Sequence, residues 1–185
     1  MNYRYQNNNN IYSKMNKVVL FLFIITTNLC FSQHTESYLT FANNFKISDP
    51  SKVEVKWRNG NIKELKNVIK LKHNNKEYEL LTGTYLQFNK KGIKRTESLF
   101  DQYGNYLSYK LFDLDGNIIT EFVTLKIDYN DDGLVEITQQ HKDYIKHKGS
   151  NYLYIKGNKL NNQKIDIWYT YDYCGNIIKE KNHAR

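Results

Sequence analysis

The feature that most restricts how this chain can fold is a short recurring unit: an aromatic residue, an Asp, two free positions, then Gly-Asn and a pair of apolar residues. It stands at Phe112-Asp113-Leu114-Asp115-Gly116-Asn117 ahead of Ile118-Ile119, and again at Tyr171-Asp172-Tyr173-Cys174-Gly175-Asn176 ahead of Ile177-Ile178. An Asp side chain accepts a hydrogen bond from the backbone two residues on, and Gly takes the positive φ that a right-twisting hairpin needs at its exit. The unit therefore encodes strand, reversal and strand. It carries no catalytic group.

Candidate reversals fall at Gly60, Gly92, Gly104, Gly116, Gly133, Gly157 and Gly175, each flanked by apolar or aromatic alternation. Val53, Val55 and Trp57 alternate with Glu54, Lys56 and Arg58, the period of a half-buried strand. Residues 62–71 also suit a helical face, but they run into His73-Asn74-Asn75-Lys76 and are answered by residues 78–81, so strand is favoured. Residues 139–148 break the rhythm and read as a longer loop or one helical turn. Tyr, Phe, Ile, Val and Thr pack well on a pleated surface, so sixteen Tyr and an aromatic share of 15% point the same way. The expected fold is all-β: a single antiparallel meander sheet over residues 51–180, open and curled or partly closed into a barrel. Residues 33–50 are expected to be a linker or edge segment, with a short helix or strand over 36–45, and residues 181–185 a charged tail that frays.

Ahead of this domain, residues 1–32 read as a signal peptide. Lys14 and Lys17 supply positive charge, residues 18–25 are an unbroken apolar run, and Cys30-Phe31-Ser32 places small side chains where a signal peptidase inspects them. The expected cut lies between Ser32 and Gln33, and Met15 can serve as the start. The apolar run is too short to cross a bilayer, which takes about 20 residues. The expected destination is periplasmic, outer-surface or secreted, with no transmembrane span after signal removal. Lipid attachment at Cys30 is disfavoured, because Leu29 is bulkier than the Gly, Ala or Ser of a lipobox. With Cys30 removed, Cys174 is the sole thiol and no internal disulfide forms. Removing Arg4, Lys14 and Lys17 lowers the net charge from +8 to +5, scattered except at Lys90-Lys91-Gly92-Ile93-Lys94-Arg95, which reads as a solvated hairpin end.

The units at Phe100 to Asn105, Phe112 to Asn117 and Tyr171 to Asn176 resemble YD repeats, the Tyr/Phe-Asp-x-x-Gly-Asn units of Rhs-type bacterial exported proteins. Three units match well and four in part, over roughly the C-terminal half. The resemblance implies repeated hairpins in an exported scaffold without catalysis. The spacing here is irregular: 12 residues from Gly104 to Gly116, 17 to Gly133 and 24 to Gly157.

Few patterns suggest chemistry. Asp128, Asn130 and Asp132 reproduce the start of a calcium loop, but its twelfth position is Gln139, which lacks the closing carboxylate, so a hairpin turn is favoured and no metal or cofactor is expected. His141 and His147 suit no zinc spacing and read as surface residues. No nucleophile elbow, zincin, phosphate-loop or dinucleotide motif is present. Trp57, Trp168, Tyr169, Tyr171 and Tyr173 are the aromatic candidates for stacking sugars, although residues 165–171 carry bulky groups on both faces and read more as core. The leading expectation is an exported non-catalytic β-scaffold or binding protein that contacts a partner protein, glycan or envelope component. A ligand- or lipid-carrying barrel and a motif-less envelope hydrolase are the alternatives. Export disfavours nucleic acid as a partner, and the sequence leaves the oligomeric state open.

Overall fold

The computed structural model describes residues 33–184; the signal segment, with Met15, Cys30 and Ser32, lies outside the described residues. One helix, α1 (Glu36–Ala42), precedes β1 (Lys46–Ile47), β2 (Ser51–Lys56), β3 (Ile62–His73), β4 (Lys76–Phe88), β5 (Lys94–Phe100) and β6 (Tyr106–Phe112). There follow β7 (Ile118–Tyr129), β8 (Val135–His147), β9 (Ser150–Leu160), β10 (Gln163–Tyr171) and β11 (Ile177–His183). They form one antiparallel sheet in which each strand from β3 to β11 pairs with the next, while β1 and β2 both lie on the outer side of β3. The meander is therefore as expected, and its sheet is open rather than closed into a barrel.

The recurring unit acts through its Asp. At Asp101, the N–H groups of Tyr103 and Asn105 both donate to Oδ1 at 2.8 Å, and Asn105 Nδ2 donates to Oδ2 at 2.8 Å. Asp113 and Asp172 hold their turns by the same three bonds. Asn89 does the same with its amide oxygen, accepting from Lys91 and Ile93. Thus the side chain satisfies the backbone donors that the reversal frees, and the Gly that follows takes φ between +76° and +87°.

A second element of the repeat was not visible beforehand. Three residues past Gly60, Gly92, Gly104, Gly116 and Gly175, the strand carries one unpaired extra residue: Lys63, Arg95, Leu107, Ile119 and Ile178. Such bulges bend a strand and increase its twist. Recurring at alternate strand pairs and more, they curl the sheet. Helix α1 confirms the curl. The ring of its Phe41 lies 6.0 Å from that of His73 on β3 and 4.1 Å from that of Tyr129 on β7. Four strand spacings cover about 19 Å when flat, far more than the width of one helix, about 10 Å. The sheet wraps around α1.

Thr35 caps the helix by accepting from Tyr38 N–H, and Tyr38, Ala42 and Ile127 form the most buried cluster. Because β5 and β6 are short, the last residues of β7 lack a partner on that side, and the chain at 33–35 fills the gap: Thr35 N–H donates to Ile127 O and Ile127 N–H to Gln33 O. The Asp101 turn lies beneath the helix, with His34 Nε2 2.7 Å from Asp101 Oδ2 and Asn105 Nδ2 donating to the Tyr38 hydroxyl at 2.6 Å. Burial pushes the Tyr38 phenol up to about 12, the Asn105 bond partly opposing it.

Three expectations are corrected. Gly157 is not a turn: it lies inside β9, and the reversal falls at Asn161-Asn162, both with positive φ. Residues 139–148 are not a loop or helical turn but the greater part of β8, which reverses at Lys148-Gly149. Residues 181–183 do not fray, since Lys181, Asn182 and His183 pair with Trp168, Ile167 and Asp166; an edge strand is held by its backbone and tolerates charged side chains. Of the alternatives for residues 33–50, the edge segment with a short helix is the one found: α1 docks on the sheet, and Lys46 and Ile47 pair with Lys72 and Leu71.

Candidate functional site

Residues paired across neighbouring strands share a face of the sheet. The pairings Tyr85 with Ser98, Ser98 with Tyr109, Tyr109 with Phe122, Phe122 with His141 and His141 with Gly157 therefore lay one row across β4 to β9. Tyr109 stacks on Phe122 at 5.3 Å between ring centroids, and Phe122 on His141 at 4.9 Å. Ile137 follows on the same face of β8, so this is the face that α1 covers at one end. Beyond the helix it is an open groove of about 550 Å³, lined by Tyr106, Tyr109, Phe122, Ile137, Gln139 and the Asn161-Asn162 turn.

The floor of the groove is polar and buried. Thr124 Oγ1 donates to Tyr106 O, Gln139 Nε2 donates to Thr124 Oγ1 at 3.3 Å, and His141 Nε2 lies 3.4 Å from Gln139 Oε1. Each buried polar group thereby finds a partner, as it must away from water. His141 is only 8% exposed, so the surface reading of it is corrected. Burial, assisted by the charge of Lys159 and opposed by Asp143, pushes the His141 imidazole down to about 4, so it is neutral at pH 7.

The other face is a field of alternating charge, where Glu97 pairs with Lys110, Lys110 with Glu121 and Glu121 with Lys142. Burial raises the Glu121 carboxyl, but hydrogen bonds from Tyr144 at 2.7 Å and Lys142 at 3.0 Å outweigh it and hold the group below its ordinary value. One face is thus solvated and the other aromatic.

The five aromatic candidates do not form one site. Trp168, 4% exposed, lies on the groove face against Gly157, its Nε1 donating to Asn158 O at 3.0 Å. Tyr169 pairs with Lys156, itself paired with Lys142, and so lies on the charged face; Tyr171, two residues on, shares it. Tyr173 stacks on His147 at the far turn, and Trp57 stands at the β2–β3 turn. The core reading of Trp168 holds. Two of the three calcium candidates, Asp128 and Asn130, are occupied by protein partners. Asp128 Oδ1 accepts from Thr35 at 2.6 Å and Ser37 at 2.7 Å, and its Oδ2 meets Lys126 Nζ at 2.5 Å. The Lys126 contact above all, then Thr35 and Ser37, holds that carboxyl well below its ordinary range. Asn130 serves its own turn by accepting from Leu134 N–H, and Asp132 is exposed. No group of three or more His, Cys, Asp or Glu is placed to hold a metal among the described residues.

The groove residues Tyr106, Tyr109, Phe122, Gln139 and Asn162 were missed because they meet only through the register of strands far apart in sequence. No protein-family model matches the chain, and no curated protein matches it. No helix among the described residues is long and apolar enough to cross a membrane.

Proposed function

We propose that this protein is an exported, non-catalytic binding module that holds a segment of neutral glycan in the groove of its curled sheet. The observation that carries the reading is the lining: aromatic rings of Tyr106, Tyr109 and Phe122 beside the amides of Gln139, Asn161 and Asn162, with no charged side chain among the lining residues. Apolar rings suit the C–H surface of a pyranose, and amides offer a donor and an acceptor to its hydroxyls. Export rests on Lys14, Lys17 and the apolar run at 18–25, and the scaffold character on the resemblance to YD repeats.

The carrier reading draws less support, since the groove belongs to an open sheet. A hydrolase of the usual kind needs two carboxyl groups about 5–10 Å apart across the bond it breaks, and the groove lining contains none. The test is thermal unfolding in the presence of neutral oligosaccharides. A rise of several degrees with one of them, lost in Tyr106→Ala, supports the groove as a glycan site by mass action. No shift with any neutral oligosaccharide, or a shift that Tyr106→Ala leaves intact, overturns it.

A further inference from the structure

A second site stands apart from the groove, where the β2–β3 and β4–β5 turns clasp one another. Asn59 Nδ2 and Asn61 Nδ2 both donate to Lys90 O, at 2.8 and 2.9 Å, and Trp57 Nε1 donates to Phe88 O at 3.1 Å. These bonds fix Trp57 between two hollows, one of about 490 Å³ bordered by Arg58, Asn59 and Lys90, the other of about 330 Å³ bordered by Lys63, Glu64, Gln87 and Arg95. Lys63 Nζ and Lys90 Nζ stand 5.3 and 5.7 Å from the centre of the Trp57 ring, within the reach at which a cation is drawn to an indole face.

The bulges explain how the cations come here. A bulge re-aims the side chain of its extra residue. In the first two units that residue is Lys63 and Arg95, whereas in the later three it is Leu107, Ile119 and Ile178. The first two bulges thus bring two cations, Lys63 and Arg95, to one hollow beside the Trp57 indole. Lys63 is balanced by Glu64 at 3.4 Å, but Arg58, Lys90, Lys91 and Arg95 enter none of the ion pairs among the described residues. Moreover, Nη1 of Arg95 is buried and without a protein hydrogen-bond partner. A buried guanidinium N–H without a partner costs free energy that an anion can recover, and a guanidinium fork fits a carboxylate or sulfate in bidentate fashion.

From this geometry we infer that the Trp57 clasp binds an anionic saccharide, a sugar bearing a carboxylate or sulfate group. Lys90, with Arg58 and Asn59, takes the charge in the hollow on one side of the clasp, and Arg95 takes it in the other. Nucleic acid fits less well, because single-strand binding stacks successive bases on several aromatic side chains and the clasp offers one. The site is independent of the neutral groove, so an acidic polymer can be held at the turn end whether or not the groove is filled.

The experiment is calorimetric titration of the purified protein with trigalacturonate, its uncharged methyl ester, inorganic phosphate and a single-stranded DNA hexamer. Trigalacturonate is expected to bind, with the ester at least tenfold weaker. Arg95→Gln and Lys90→Ala should each weaken it about tenfold, Arg95→Lys should weaken it less than Arg95→Gln, and Tyr106→Ala in the groove should leave it unchanged. Lys90→Ala alters an exposed turn side chain and keeps the test open if Arg95→Gln fails to fold. Equal binding of the ester, equal or tighter binding of phosphate or DNA, indifference to Lys90→Ala, or no binding of trigalacturonate overturns the assignment.

Discussion

The five-membered part of the Trp168 indole lies on the Cα of Gly157: a methyl group built there would stand 2.2 Å from Cδ2, 2.4 Å from Cε2 and 2.5 Å from Cγ. The strand accommodates this because β10 carries two extra residues between Ile165 and Tyr169 opposite Asn158 to Lys156, with Asp166 at φ +58°, which swings Trp168 over its neighbour. Gly157 is a glycine for want of room, and Gly116, with nothing within 4 Å of a built Cβ and φ of +86°, for its backbone conformation.

Two glycines with different reasons should respond differently. Gly157→Ala is expected to cost about 3 kcal/mol through overpacking, and Gly116→Ala about 1 kcal/mol through the left-handed conformation. In urea unfolding, adding Trp168→Ala should relieve the first defect and add independently to the second. Strict additivity at Gly157 would show that the indole is not the obstacle.

The Asp turns share their bonds but not their surroundings. Asp101→Ala is expected to destabilise by about 2–4 kcal/mol, since it frees two turn amides and leaves His34 and Asn105 beneath α1 without their acceptor. Asp172→Ala, at an exposed turn, should cost clearly less. Asp113→Asn should cost least, since an amide oxygen can still accept from the Asp115 and Asn117 N–H groups as Asn89 does at its turn, and only the Asn117 Nδ2 bond to Oδ2 is lost. Denaturant midpoints of the three variants test the order.

Acid should reveal His141 before the carboxylates. Its folded value lies at about 4, below the ordinary 6.5, so the unfolded chain takes up the proton first. Stability is then whole above about pH 6.5 and falls by roughly 3 kcal/mol as pH drops through about 4. His141→Gln should flatten that part of the profile. The depressed carboxyls of Asp128, Asp113 and Asp172 act with the same sign at lower pH, losing their contribution as pH falls through their folded values. A wild-type melting temperature that is constant from pH 7 to pH 4 would contradict the burial of a neutral imidazole.

Asp128 should behave as the anchor of α1 and not as a metal ligand. Asp128→Ala removes acceptors for Thr35, Ser37 and Tyr129 N–H, an expected loss of about 1–3 kcal/mol. Millimolar Ca²⁺ should leave the melting temperature unchanged in both proteins. A calcium-dependent rise abolished by the substitution would restore the metal reading.

What could be read from the sequence is what lies within five residues of itself. The Asp, Gly and Asn of each turn unit bond to one another, so Asp101, Asp113 and Asp172 were legible without the fold. Lys156-Gly157-Asn158 carries the same letters, but its reason is Trp168, eleven residues further on in another strand. The true reversal, Asn161-Asn162, contains no glycine. β8 was unreadable because its buried positions, Gln139 and His141, are polar and satisfied by one another and by Thr124. The groove was hidden by a bulge: Tyr106 and Tyr109, three apart, belong on opposite faces by strict alternation, and the extra Leu107 returns them to one.

The short bridge between Gln33, Thr35 and Ile127 fixes an order of assembly. Each hairpin joins neighbours in sequence and can close as soon as its second strand exists, whereas Thr35 meets Asp128 across 93 residues. The first described segment to leave the ribosome is therefore among the last to find its seat, waiting exposed with Phe41 and Phe45 until β7 and β8 have been made.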